Sequence, residues 1–335
     1  MTILHEPAAE AREVFIESIG IAFGEQEMRI DALSMEGRTG TLLSELLMDG
    51  FICYRKTELP ALELAAASFE DLKSKTTISF SDVDAIIFAC ENIEEISTGL
   101  RDIYAQYRAW PRDVVEWLSA QGLARAYPYG LWLTGCGNLS AGLAMAKTLI
   151  AARSHHTVLI CMVDINRAAK TPPGLLTGSA ILSDAASCCI VTDRPGAGPR
   201  YRIDEIDLNA DLKLAAIDPI LQQMQYLLAF ERGFRQARES AEARFGQPVS
   251  SFDHILAPNL RSKSLLVSAK LMRIGAEHLR KARYAAVGHA YGTDHLTGLL
   301  DLHSDVLARN GDSVLLFNPG VFCWNFSALR LFHGT

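Results

Sequence analysis

Several things are missing from this 335-residue chain, and each absence excludes something. There is no CxxC pair and no paired Cys and His spacing of a zinc site; seven cysteines, Cys53, Cys90, Cys136, Cys161, Cys188, Cys189 and Cys323, are scattered along the sequence. Neither a bound metal nor a disulfide framework is expected, and free thiols suit a reducing compartment. No run of 18 apolar residues occurs, so no membrane span is expected. The opening MTILHEPAAEAREV lacks the apolar stretch of a secretory signal, and the expectation is a cytoplasmic protein. There is no basic excess either: the formal net charge of −7 argues against nucleic-acid binding. What is present is ordinary globular composition, 49% hydrophobic and 21% charged, in a chain long enough for one large or two ordinary domains.

One stretch organises the rest. In YGLWLTGCGNLSAGLAMAKTLIAAR, Tyr129 to Arg153, a short apolar strand over Leu131–Thr134 meets a tight turn at Gly135-Cys136-Gly137. An amphipathic helix follows, with Leu139, Leu143, Ala146, Lys147 and Ile150 at helical spacing. Cys136 is thereby placed at a helix N-terminus, where unpaired N–H groups and the helix dipole lower a thiol's pKa and favour the nucleophilic thiolate. The flanking glycines permit a sharp turn and leave room beside the sulfur. The alternative is a structural cysteine in the core.

Strands are expected over Glu13–Gly24, Val83–Ala89, His155–Asp164 and Ile181–Asp193, and helices over Ala61–Leu72 and Ile103–Ser119. Residues 165–180 read as a loop, and PGAGP at 195–199 as a linker. The second half then echoes the first. SFDHILAPN follows SDVDAIIFACEN, the helix His295–Arg309 follows the one after Cys136, GDSVLLFNPG follows HHTVLICMVD, and CWNFSALRLF follows ASCCIVTD. Four matches in one order predict two α/β halves related by a pseudo-two-fold, 1–195 and 200–335.

These segments together resemble the thiolase superfamily, in its β-ketoacyl-ACP synthase III-like branch. The resemblance runs from about Glu13 to the end and rests on DVDAIIFAC, TGCGNLSAGL, LSDAAS, LAPNLRS, GHAYGTD and NPGVFCWNFSALRL. It implies a thiolase-like fold of two duplicated halves in an αβαβα layered sandwich and a homodimer, a heterodimer with a related subunit being the alternative. It also implies an acyl group carried on a cysteine. No resident cofactor is implied; acyl-CoA or acyl-carrier-protein thioesters enter as substrates. Carried over position by position, Cys136 takes the nucleophile's place and Gly320 that of a backbone donor in the oxyanion hole. His289 stands where the family has an asparagine after a glycine, a pattern that looks like a divergent branch from secondary metabolism. The family's histidine is absent: Pro258 occupies the aligned position, with Asn259 beside it.

Proline has no side-chain donor, so decarboxylative condensation loses one of the groups that hold an enolate. His289, with an imidazole suited to general base work, favours acyl transfer to a hydroxyl or amine. Asp294 would orient His289 or cap the following helix. Asp184 reads as structural. The expected substrate contacts are Asn259, Arg261 and Lys263, the last two opening a helix expected to be basic along its length, through Lys270, Arg273, Arg280, Lys281 and Arg283. Such a stretch would steer an acidic carrier protein or CoA phosphates, or be merely a solvated face. The competing reading to an enzyme is a catalytically impaired partner subunit, which Pro258 favours and the intact Cys136 turn opposes.

Overall fold

The computed structural model describes residues 12–33, 37–91, 112–166, 175–176, 179–218, 221–320 and 322–334. The strands in chain order are β1 Phe15–Phe23, β2 Gln26–Arg29, β3 Cys53–Lys56, β4 Ala85–Ala89, β5 Tyr127–Leu131, β6 Thr157–Asp164, β7 Leu175–Leu176, β8 Ala180–Ile181, β9 Ala185–Thr192, β10 Arg200–Ala210, β11 His254–Leu256, β12 Leu279–Arg280, β13 Ser313–Pro319 and β14 Cys323–Phe332. The helices used below are α1 Gly37–Met48, α2 Ala61–Lys73, α3 Asn138–Ala151, α4 Gln223–Phe245, α5 Ser262–Met272 and α6 Thr293–His303.

Ten strands form one mixed sheet in the order β12-β11-β13-β14-β10-β1-β9-β6-β4-β5. The duplication read in the sequence is visible in this order. In the first half β4 runs parallel to β5 and β6, and β9 antiparallel to β6 and β1. In the second, β11 runs parallel to β12 and β13, and β14 antiparallel to β13 and β10. The halves join through the antiparallel pair β1–β10, and residues 195–199 fall between β9 and β10.

The layers follow from period-two burial. Along β6, Val158, Ile160 and Met162 face one core, while Leu159, Cys161 and Val163 face another. A strand covered on both faces reads as a continuous apolar run, which is why TVLICMVD was legible. The central core holds Leu139, Leu143, Ala146 and Ile150 of α3 with Leu296, Leu299 and Leu302 of α6, packed between the strands of both halves. Each such leucine or isoleucine contributes about 1.5–3 kcal/mol by leaving water. α2 covers the outer face of the first half through Leu64, Phe69 and Leu72. α4 and α5 cover the second half through Phe234, Ala237, Leu265 and Met272, against Phe317, Trp324 and Phe326.

Three expectations change. The strand before the nucleophile turn is β5, ending at Leu131; Trp132–Thr134 belongs to the turn. The helix after Cys136's counterpart in the second half begins at Thr293 and ends at His303, short of Arg309. The basic stretch after Asn259 is not one helix. α5 stops where Arg273 takes φ 61°, and beyond it Arg280 pairs with Asp305 at 2.5 Å and Arg283 with Asp301 at 2.9 Å. The expected helix over Ile103–Ser119 lies outside the described residues up to 111; from 112 to 118 the chain is helical. No helix among the described residues is long and apolar enough to cross a membrane.

Candidate active site

Parallel strands put their carboxyl ends, and the turns that follow, on the same edge of a sheet. The turn after β5 carries Cys136 in a single 3₁₀ turn, Gly135–Gly137, that runs directly into α3. Its position is fixed from several directions. Gly137 N–H donates to the Thr134 carbonyl at 2.9 Å, Thr134 Oγ1 donates to Asn138 Oδ1 at 2.7 Å, and Asn325 Nδ2 donates to the Gly137 carbonyl at 3.4 Å. Of the seven cysteines, six are buried and Cys136 alone keeps partial access to solvent. Cys188 and Cys189 are core residues of β9, and Cys323 of β14.

The second half supplies His289. Gly288 takes φ 62°, and a side chain there would come within 2.8 Å of the Ile181 carbonyl, so the turn needs glycine. His289 is then stitched to the β8–β9 connection: its N–H donates to the Ile181 carbonyl and its carbonyl accepts from Ser183 N–H, both at 2.8 Å. The imidazole Nε2 lies 3.4 Å from Cys136 Sγ, and Nδ1 lies 2.5 Å from Asp294 Oδ2. A carboxylate accepts, so Nδ1 carries the proton and the Nε2 lone pair faces the thiol. Asp294 is itself held by Ala290 N–H at 2.9 Å, Asn259 N–H at 2.7 Å and Asn259 Nδ2 at 3.1 Å. Nucleophile, base and orienting carboxylate thus form one hydrogen-bonded chain, with His289 and Asp294 both buried.

The electrostatics differ from the sequence expectation. Burial pushes the Cys136 thiol well above its ordinary value, with Glu91, Asp164 and Asp294 adding in the same direction. Burial and the three acidic groups thus work against the thiolate that the helix N-terminus favours. Glu91 and Asp164 were not singled out from sequence. Glu91 Oε2 lies 4.0 Å from Cys136 Sγ, and its backbone N–H donates to Asp164 Oδ1 at 2.6 Å. Burial raises the Glu91 carboxyl, and burial with Glu91 nearby pushes Asp164 up to about 7. The available signal was positional: β4 pairs in parallel with β5, Ala89 opposite Leu131, which brings Glu91 beside the nucleophile turn.

The other expected residues divide. Gly320 lies against the turn, and a side chain there would sit 2.7 Å from the Thr134 carbonyl and 2.5 Å from Cys323 Sγ. Its N–H, however, donates to the Cys323 carbonyl at 2.8 Å, closing the β13–β14 hairpin rather than facing a substrate oxygen. Asn259 is buried and spends its amide hydrogens on the carbonyls of Ala282 (2.8 Å) and Gly288 (2.7 Å) and on Asp294, so it braces the histidine loop instead of reaching substrate. Pro258 is buried in the same loop. Arg261 and Lys263 both pair with Glu45 of α1, Lys263 at 2.6 Å, which neutralises much of the expected docking charge. Asp184 accepts from Thr57 N–H, Asn166 N–H and Lys56 Nζ, a structural knot as expected.

The whole chain can be compared with solved structures. 3-Oxoacyl-(acyl carrier protein) synthase III from Pseudomonas aeruginosa PAO1 matches 96% of this chain and 99% of its own, at TM-score 0.69 and 17% identity. Cerulenin-bound OleA from Xanthomonas campestris matches 95% and 97%, at TM-score 0.74 and 11% identity. The fold is thiolase-like, of the synthase III type. The ChlB3 acyltransferase shares it over 96% of this chain and 98% of its own, at TM-score 0.73 and 12% identity. No family model and no curated protein matches the sequence itself. On this synthase III-type frame, the Cys136 turn and the His289 loop each precede the central helix of their own half, α3 and α6.

Proposed function

We propose that this protein is an acyltransferase of the synthase III type, taking an acyl group from a CoA or acyl-carrier-protein thioester onto Cys136 and passing it to a hydroxyl or amine acceptor. The observation that carries the reading is the chain Cys136 Sγ–His289 Nε2 and His289 Nδ1–Asp294 Oδ2, at 3.4 and 2.5 Å. As the sulfur attacks the donor's carbonyl carbon, its proton passes to Nε2, and Asp294 stabilises the imidazolium. Collapse of the tetrahedral adduct breaks the carbon–sulfur bond to the donor, and Nε2 returns the proton to the departing pantetheine sulfur. Handing the thiol's proton to Nε2 during attack suits a site whose other groups are acidic.

Two observations favour transfer over decarboxylative condensation. Pro258 offers no donor for an enolate, and the Glu91 carboxyl beside the sulfur opposes the carboxylate of a malonyl unit. The intact chain of thiol, imidazole and carboxylate argues against an impaired partner subunit. The donor class rests on the fold likeness; docking through Arg261 and Lys263 would have to displace their pairing with Glu45. A homodimer forming through β5 is part of the proposal, since β5 ends the sheet with exposed Tyr127, followed by exposed Trp132 and Leu133.

The test is intact-protein mass after incubation with a panel of acyl-CoA and acyl-carrier-protein donors. One acyl unit is expected on the native chain and none on Cys136→Ala, with His289→Ala loading slowed by roughly 10²–10⁴-fold. Failure of every donor to label Cys136 would leave the fold without the activity.

A further inference from the structure

Unloading an acyl-cysteine onto a hydroxyl or amine requires a base for the acceptor's proton, and His289 already has its one free lone pair aimed at the sulfur. A second group stands at the same atom. Glu91, just past β4, places Oε2 4.0 Å from Cys136 Sγ. Its carboxyl also lies against the nucleophile turn: a side chain on Gly135, which takes φ 54°, would come within 3.3 Å of Glu91 Cδ and Oε1. The backbone here is fixed, through Glu91 N–H to Asp164 Oδ1 at 2.6 Å.

The contrast with Asp294 is informative. Asp294 is saturated by His289, Ala290 and Asn259 and can only orient. Among the described residues, the Glu91 carboxyl accepts from the Cys136 thiol at Oε2 and is paired with no Lys or Arg. Glu91 is half-buried, so an acceptor entering beside the sulfur can reach its carboxyl, and carboxyls left without a cation next to a nucleophile concentrate where a proton must move.

We propose that Glu91 is the catalytic base of the unloading step, taking the acceptor's proton while His289 serves loading. This rests on the acyl-transfer reading above. The acceptor's oxygen or nitrogen forms a bond to the thioester carbon, the carbonyl electrons move to oxygen, and the acceptor's proton passes to the Glu91 carboxylate. On collapse the carbon–Sγ bond breaks with its electrons on sulfur, and Glu91 returns the proton to Sγ, 4.0 Å away. Thiol and carboxylate are both restored, with no further reactant.

Glu91 acts in its ionised form, so unloading rises with pH as it titrates. The groups that face it are Asp164 at the end of β6, Cys136, Cys323 of β14, and His289 and Tyr291 of the loop before α6. Burial delays its ionisation and His289 promotes it.

The experiment loads the full-length native chain and its Glu91→Gln and Glu91→Asp variants from acetyl-CoA and follows the acyl-enzyme by mass. Its decay is then measured with water, with glycerol and with hydroxylamine across pH 5–9. Hydroxylamine needs no base assistance and reports whether the carbonyl is still presented correctly. In Glu91→Gln the acyl-enzyme should still form, loading being if anything faster because the Glu91 charge no longer holds the Cys136 thiol up, and hydroxylamine release should match the native chain. Decay to water and glycerol should fall by roughly 10²–10⁴-fold and lose its rise with pH, and Glu91→Asp should restore part of it. Native unloading in Glu91→Gln, or an equal loss with hydroxylamine, overturns the role of Glu91 while leaving acyl transfer intact. Absence of loading in the native chain overturns acyl transfer, and the role of Glu91 with it.

Discussion

At the scale of the residue, the site stores protons on buried acids. Asp164 holds its proton up to about pH 7 in the folded chain, against about 4 for an unfolded aspartate. Between those values the folded state binds more protons than the unfolded, so this group's contribution to stability falls as pH rises from about 4 to about 7. His295 and His303 act oppositely: burial lowers both to about 4, so their contribution is lost as pH falls from about 6.5 to about 4. Asp164→Asn keeps an acceptor for Glu91 N–H and removes only the first effect. Urea unfolding at pH 5 and pH 8 should show the variant gaining on the native chain at the higher pH, by at most roughly 3 kcal/mol; an identical difference at both values would mean that Asp164 is ionised throughout. Cys136 was legible from its flanking glycines and the helix that follows; His289 was singled out only through the resemblance to the synthase III-like branch. The sequence left Asp294 divided between cap and orienter; Asp294 lies in the first turn of α6, but its carboxyl caps no N–H of that helix and orients His289 instead. It hid Glu91, because nothing within ACEN tells that β4 ends beside a turn 45 positions later.

At the scale of the element, legibility followed burial. Strands covered on both faces, β6, β9 and β13, read as apolar runs, and α3 as a helix by its 3–4 spacing. β10 escaped, although its buried and exposed residues alternate, because the register shifts between Ile203 and Glu205 and breaks the period. β5 was placed late because YPYGL, at the sheet edge, is mostly exposed and carries no alternation. Close approach between elements is equally silent in sequence. α4 crosses β14 so tightly that a side chain at Gly233 would come 2.2 Å from Trp324 Cη2, a buried ring already packed against Phe230. Gly233→Ala gains helix propensity of about 1 kcal/mol but overpacks at a cost of about 1–3 kcal/mol or more. A lower Tm is expected, recovered in the double variant with Trp324→Leu; additive losses in that pair would show that the two residues do not compete for the same space.

At the scale of the whole molecule, the ten-stranded sheet has two unequal ends. β12 is two residues long, whereas β5, five residues long and with no strand beyond it among the described residues, is followed by exposed Trp132 and Leu133. A long edge flanked by apolar side chains is the end that a second copy would cover. Leu133→Glu is expected to shift the native chain from dimer to monomer in sedimentation; a native chain that sediments as a monomer removes the dimer from the proposal.

The internal duplication bears on the origin of the chemistry. Cys136 and His289 occupy the same place in their respective repeats, each in the turn that leads into α3 or α6. An ancestor made of two identical copies of one repeat would have faced like against like across the symmetry axis, two sulfurs or two imidazoles. In this chain the equivalent positions differ, a thiol in one half and an imidazole in the other, 3.4 Å apart. Reactivity here is thus a product of broken symmetry rather than of either repeat alone.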